Sequence, residues 1–165
     1  MLFETERLYV RQFTEADLHN LYLFSSDPVV MKYIRPPLSL EASKELLDIQ
    51  LNGYRVNPNF GRFAVIEKAS EQYIGNFLLR PSEAMGGTET GYAFFEKHWG
   101  KGYATEITEK ALEFAFRDLQ IKRLYAITEI LNEGSKNVLR KCGFTQLPNF
   151  LENGKELCLF EILNQ

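Results

Sequence analysis

In FFEKHWGKGYATEITEKALEFAF (Phe94–Phe116) an aromatic, strand-like run gives way to Gly100-Lys101-Gly102, and a long amphipathic segment starts at once. Glycines accept backbone angles that a Cβ resists, and they let an incoming anion touch the main chain. The first turn of a following helix offers unpaired N–H groups, here those of Tyr103, Ala104 and Thr105, and its dipole favours negative charge. Lys101 adds a point charge. The combination predicts a phosphate or pyrophosphate cradle, although on its own the same loop could be a plain tight turn into a helix. It is not a P-loop, because G-x-x-x-x-G-K-[ST] is missing. Nor is it G-x-G-x-x-G, because Thr105 stands where a third glycine would.

A second stretch, Asn132-Glu-Gly-Ser135-Lys-Asn-Val-Leu-Arg-Lys-Cys-Gly143-Phe144, follows some thirty positions later. Asparagine closes a strand, serine sits three residues on in a new helix, and Gly-Phe ends that helix. Taken singly, Asn132 can be an N-cap and Gly143 a C-terminal glycine. Both stretches in one chain, with a strand between them, are much harder to obtain by chance.

The elements that hold these stretches follow from hydrophobic period. Arg7 to Phe13 alternates as a strand, and Thr14 to Asp17 reads as a capping box launching a helix with Leu18, Leu21, Tyr22 and Phe24 inward. Asp27-Pro28 breaks that helix, a short one follows from Val29 to Ile34, and Pro36-Pro37 ends it. Ser39 caps a further helix with Leu40, Leu46, Leu47, Ile49 and Leu51 on its apolar side. Phe63–Glu67 and Tyr73–Leu79 read as an antiparallel pair, and Thr88–Phe95 as the next strand. A helix from Tyr103 to Leu119 buries Ile107, Ala111, Phe114 and Ala115. Arg123–Ile130, a helix over Asn132–Cys142, and strands at Phe144–Phe150 and Glu156–Leu163 complete the chain, with a turn at Asn153-Gly154. A strand on each side of a long helix implies a parallel crossover. The expectation is one α/β domain over residues 1–165: a mixed, mostly antiparallel sheet with one parallel pair, flanked by helices.

The 165 residues carry a net charge of −3, with 45% apolar content and no basic run. That argues against nucleic acid, whose affinity normally comes from a clustered positive face. No apolar stretch approaches the ~18 residues a membrane span needs, and the acidic N-terminus lacks a signal peptide's core, so a cytoplasmic location is expected. Cys142 and Cys158 have no metal-ligand spacing and read as small buried hydrophobes. No metal site is expected.

WGKGYA resembles the acetyl-coenzyme A loop of the GNAT superfamily of N-acetyltransferases, (Q/R)-x-x-G-x-(G/A), with Gly102 and Ala104 on its small positions. N-x-x-S-x-x-V-L-x-K-x-G-F resembles the second motif of the branch that includes the ribosomal-protein N-terminal acetyltransferases. TERLYVRQFTEADLHNLY, SDPVVMKYI, YIGNFLLRP and ETGYAF are similar to that branch in order and spacing, so the likeness covers nearly the whole chain. Trp99 stands at the Gln/Arg position, and Leu139 where many members carry a tyrosine that protonates the leaving thiolate.

The resemblance implies acetyl-CoA as cosubstrate and an amine acceptor, either a protein N-terminus or a small amine such as a polyamine or aminoglycoside. It implies that the strands ending near Phe95 and Ile130 splay, and that the pantetheine arm pairs with backbone groups of Phe94 and Phe95. Asn132 becomes a pantetheine ligand and Ser135 the group that meets the sulfur, since Leu139 cannot. Tyr33, Ile34 and Pro36-Pro37 would form one wall of the acceptor site. Two glutamates compete for the base: Glu129 at the carboxyl end of its strand, and Glu89 at the start of the other. A non-catalytic acyl-CoA-binding module is the competing class. The antiparallel final strands could also pair across a homodimer.

Overall fold

Alternation along the chain produces the sheet: Leu8 and Val10 of β2 (Leu8–Arg11) are buried, while Tyr9 and Arg11 lie half-buried on the other face. The computed structural model describes residues 1–165. Its remaining strands are β1 (Phe3–Glu4), β3 (Gly61–Glu67), β4 (Gln72–Ser82), β5 (Gly87–Phe94), β6 (Arg123–Glu129), β7 (Thr145–Glu152) and β8 (Lys155–Leu163). They form one sheet in the order β1-β2-β3-β4-β5-β6-β8-β7. Every neighbouring pair is antiparallel except β5 and β6. The expected mixed sheet with a single parallel crossover is therefore present, and the two-residue β1 is an addition too short for periodicity to reveal.

The helices are α1 (Leu18–Ser25), α2 (Pro28–Met31), α3 (Leu40–Val56), α4 (Tyr103–Glu113) and α5 (Glu133–Lys141). Ahead of α1, the Asp17 carboxylate accepts from the Thr14 N–H at 2.7 Å and from the Arg11 guanidinium at 2.7 and 2.9 Å. Asp27 caps α2 and Pro28 opens it, so the proline that stops one helix starts the next. Ser39 caps α3, accepting from the Ala42 N–H at 3.1 Å.

One expectation needs correction. The buried row of α3 is Ser43, Leu47, Gln50 and Tyr54, whereas Leu40 and Ile49 are exposed. The polar members are satisfied where they sit: Ser43 donates to the Ser39 carbonyl at 2.9 Å, and Gln50 Oε1 accepts from the Arg62 N–H at 2.7 Å. A hydrogen-bonded polar side chain loses little on burial, so hydrophobicity alone misplaced this face.

Between the helical layers and the sheet lies an aromatic core. Phe3 packs edge-on to Phe77 at 5.2 Å and tilted on Phe114 at 5.5 Å. The face Ile107, Ala111, Phe114 and Ala115 is buried as its spacing predicts, although the helix loosens into a π-turn from Phe114 to Asp118. Both cysteines are free, and burial pushes the Cys142 thiol up to about 11. No helix is long and apolar enough to cross a membrane.

Candidate active site

Gly100 and Gly102 both take left-handed backbone angles, with φ of +70° and +82°. This turn aims the chain into α4. The first intrahelical bond is Glu106 N–H to Gly102 O at 3.1 Å, so the N–H groups of Tyr103, Ala104 and Thr105 have no partner within the helix. A brace from the other end of the chain fixes the loop. Arg7 donates to the Lys101 carbonyl at 2.9 Å, pairs with Glu106 at 2.6 Å, and lies 4.4 Å from the centre of the Tyr103 ring. Burial would raise the Glu106 carboxyl, but the Thr5 hydroxyl, the Arg7 amide and the Arg7 guanidinium together hold it below its ordinary range. Tyr103 in turn donates to Glu67 at 2.5 Å. His98 is buried beside this loop, and desolvation followed by repulsion from Lys101 lowers its imidazole, keeping it neutral. The result is a rigid mouth with open main-chain donors and a nearby lysine, which fits an oxyanion of the phosphate type.

Beside the mouth, β5 and β6 separate. Their register pairs only Thr88 with Leu124 and Glu89 with Tyr125. Past those pairs the strands diverge into a V, whose pocket of about 50 Å³ on the α5 side is lined by Thr90, Tyr92, Thr108, Ile127, Ser135 and Leu139, among others. The Phe95 N–H donates to Ile74 O at 3.0 Å, so by strand alternation the Phe94 N–H points the other way, into the V. The Phe94 carbonyl accepts from the Trp99 indole at 2.8 Å, which ties this strand end to the glycine loop. Phe95 contributes differently from Phe94: its amide is used by β4 and its ring packs edge-on to Phe24 at 5.1 Å. Gly75 lets β4 approach, since a Cβ there would lie 2.2 Å from the Ala93 carbonyl.

Asn132 caps α5 by accepting from the Ser135 N–H at 3.2 Å. Ser135, in the first turn, faces the V from the side opposite β5. Tyr92 is a residue that motif reading passed over. It shares a sheet face with its cross-strand partner Phe77, so its ring projects toward α4 and α5. Burial raises the Tyr92 phenol above its ordinary value, while a hydrogen-bonding contact with the Ser135 side chain works the other way. A phenol thus reaches the V from a strand, although the helix position that could have carried one holds Leu139.

The opposite face of the same strands floors a cleft of about 520 Å³. Tyr33, Ile34 and Pro36 form part of its wall, and the turn between β7 and β8 forms its rim through Asn153 and Lys155. Glu89 and Glu129 both line it. Glu89 is paired with Arg80 at 2.8 Å, and Glu129 with Lys155. Glu89 sits level with Tyr125 at the closed end of the V, whereas Glu129 lies four residues further along β6, or ~13 Å toward the open end. Thr128 adds a buried hydroxyl without a partner. No group of three His, Cys, Asp or Glu side chains is placed to hold a metal ion. The arrangement can hold an extended acyl carrier in the V, phosphates at the mouth of α4, and a nucleophile arriving from the cleft.

A family model described as an acetyltransferase (GNAT) domain matches residues 7–145. The chain is 30% identical over 143 residues to an uncharacterized N-acetyltransferase, p20, of Bacillus licheniformis, covering 85% of this chain and 80% of that one. Among solved structures, a GNAT-family acetyltransferase from Bacillus anthracis superposes with a TM-score of 0.86, at 23% identity and 99% coverage of both chains. A spermidine N-acetyltransferase from Vibrio cholerae, in complex with CoA and spermine, gives 0.76 at 23% identity and 96% coverage of both. A ribosomal-protein-S5-alanine acetyltransferase from Vibrio fischeri gives 0.77 at 19% identity, covering 98% of this chain and 96% of the other.

Proposed function

The chain belongs to the acetyltransferase (GNAT) family as an acetyl-CoA-dependent N-acetyltransferase, and from that premise we propose how its residues divide the work. The pyrophosphate rests on the main chain of Gly100 to Thr105 with Lys101 beside it, where α4 presents its free N–H groups. The pantetheine arm lies in the V, taking the Phe94 N–H and Asn132, and Phe95 supports that strand from behind. The acceptor is a primary amine entering through the cleft on the other face.

Acyl transfer then needs a neutral amine, a polarised carbonyl and a proton for the sulfur. A strand N–H at the opening of the V polarises the thioester oxygen, a task that needs no side chain. The amine nitrogen forms its bond to the acyl carbon and loses a proton through water to Glu129, the carboxylate at the open end. Glu89, the other candidate, stands at the closed end and holds Arg80. As the C–S bond breaks, the sulfur takes a proton from Tyr92, whose phenol is kept protonated by burial, with Ser135 beside it in the same pocket. The observation that carries this reading is the splay itself: two paired residues, then a V with a glycine-helix cradle at its side and, below it, a cleft that Glu129 lines.

The solved neighbours act, by their names, on spermidine in one case and on a ribosomal protein in another. For this chain, release of CoA thiol from acetyl-CoA against N-terminal peptides, polyamines and amino-group metabolites tests the reading. Acceptor-dependent release is expected. Tight acetyl-CoA binding without release on any amine would instead mark an acyl-CoA-binding module.

A further inference from the structure

The acceptor cleft is not the acidic channel that a polyamine would favour. Three guanidiniums, those of Arg35, Arg62 and Arg80, reach it from the segment after α2, from β3 and from β4. Arg62 and Arg80 share a sheet face with Glu89, because Arg62 pairs with Leu78 and Arg80 with Glu89 in adjoining registers. Only Glu89 among these neighbours is a carboxylate, and Arg80 already holds it. Arg62 hydrogen-bonds through its backbone alone, to Gln50 and Tyr54. Arg35 Nε is buried without a partner. Glu129, further along the cleft, is taken by Lys155, and Glu152 stands exposed at its rim.

A buried cation without a counter-ion is costly, and the cost is recovered when an anion arrives. Burial, then repulsion from Arg35 and Arg80, pulls the Arg62 guanidinium down to about 10, with Glu89 opposing. Desolvation and Arg80 likewise lower Arg35. Planar forks that converge from a strand and from the segment after α2 suit the two oxygens of a carboxylate, or a phosphate, better than any neutral group.

We infer that Arg35 and Arg62 form an oxyanion subsite in the cleft, so that the acceptor is a small amine carrying a carboxylate or phosphate rather than a polyamine. The inference rests on the acetyltransferase reading of the same cleft, because it places the amine between the Arg pair and the V. A second cationic amine in the acceptor, as in spermidine, would meet Arg35 and Arg62 and be repelled.

Two measurements decide it. First, inorganic phosphate is titrated into protein saturated with CoA, which covers the α4 mouth, and the arginine Nε–H signals are followed by magnetic resonance. The Arg35 and Arg62 signals are expected to shift and saturate, and the response should vanish in Arg35→Gln, a half-buried position whose loss leaves the core intact. Saturable CoA binding without any shift of these signals would overturn the subsite. Failure of CoA to bind would instead remove the cofactor reading, and the phosphate response would still report on the arginines. Second, rates are compared within matched pairs: phosphoethanolamine with ethanolamine, β-alanine with β-alaninamide, and spermidine alone. The anionic member is expected to lead by roughly 10- to 100-fold in kcat/KM, the value of one or two charged hydrogen bonds. Arg35→Gln should erase that lead, raising KM for the anionic member far more than for its neutral partner. Preference for spermidine, for the neutral members, or for an acid-led peptide over both anionic amines would refute a small oxyanion-bearing acceptor.

Discussion

Replacing Tyr92 by phenylalanine removes one hydroxyl and nothing else from the wall of the V. Its ring is half-buried and keeps its packing on Phe94, whose centroid lies 5.9 Å away, so the fold should lose under ~1 kcal/mol. Turnover should lose far more. A hydrogen bond to a charged partner is worth ~1.5–3 kcal/mol, and a thiolate leaving unprotonated forfeits at least that. At ~1.36 kcal/mol per factor of ten, kcat should fall roughly 10- to 150-fold with KM for acetyl-CoA little changed. The phenol's pKa is raised above 10.0 by burial, so the proton-donating form persists through neutral pH and is lost only as pH climbs past that raised value. Wild-type turnover should therefore decline on that alkaline limb, and the phenylalanine variant should lack the decline. Ser135→Ala and the double variant complete the set. If the two hydroxyls act on one sulfur, their effects will be less than additive. The assay is CoA-thiol release at saturating acceptor. A kcat for Tyr92→Phe within about twofold of wild type would remove Tyr92 from the proton path.

Gly102→Glu should weaken acetyl-CoA at least ~100-fold by calorimetry, since a carboxylate ~5 Å from a phosphate charge costs ~3 kcal/mol at an effective dielectric of 20. Gly102→Ala, which adds only the left-handed strain of ~1–2 kcal/mol, should lower stability and largely keep affinity; equal affinities in all three proteins would contradict the cradle. Glu129→Gln should lower kcat by ~100-fold or more, whereas Glu89→Gln should chiefly disturb Arg80; the reverse order of losses would make Glu89 the base. Burial opposes ionisation of Asp17, yet the Arg11 fork and the Thr14 N–H depress its carboxyl below the ordinary 3.8. Its stabilisation is thus fully present above 3.8 and lost as pH falls through the lower folded value. Asp17→Asn should cost ~1–3 kcal/mol at neutral pH in denaturant melts and flatten the acid dependence; a wild-type-like melt would contradict the pair's role.

Local patterns were enough to place the glycine turn into α4 and to place α5, because glycines at a helix mouth and an Asx cap act through neighbours in sequence. Strand alternation and one long helix between two strands likewise implied the parallel pair. What sequence could not show depends on register. Tyr92 becomes a candidate acid only because it pairs with Phe77 and so faces Ser135, 43 positions away in the chain. Arg7, outside the loop motif, braces Lys101 from the bend just before β2, a contact spanning 94 residues. The sequence set Glu129 at the carboxyl end of one strand and Glu89 at the start of another, and the pairing of Glu89 with Tyr125 adds that Glu89 lies at the closed end of the V. The α3 face was misjudged for a different reason: Ser43 and Gln50 are buried with their hydrogen bonds made, which hydropathy does not see.

The central claim is that acetyl-CoA lies along the diverging edge of β5 with its phosphates on α4. Amide hydrogen exchange with and without CoA tests this most directly. New protection is expected at Phe94 and at Lys101 to Thr105, with little change at Phe95, whose amide already bonds to Ile74. Protection confined to the cleft floor around Arg62 and Arg80, with these amides unchanged, would contradict it.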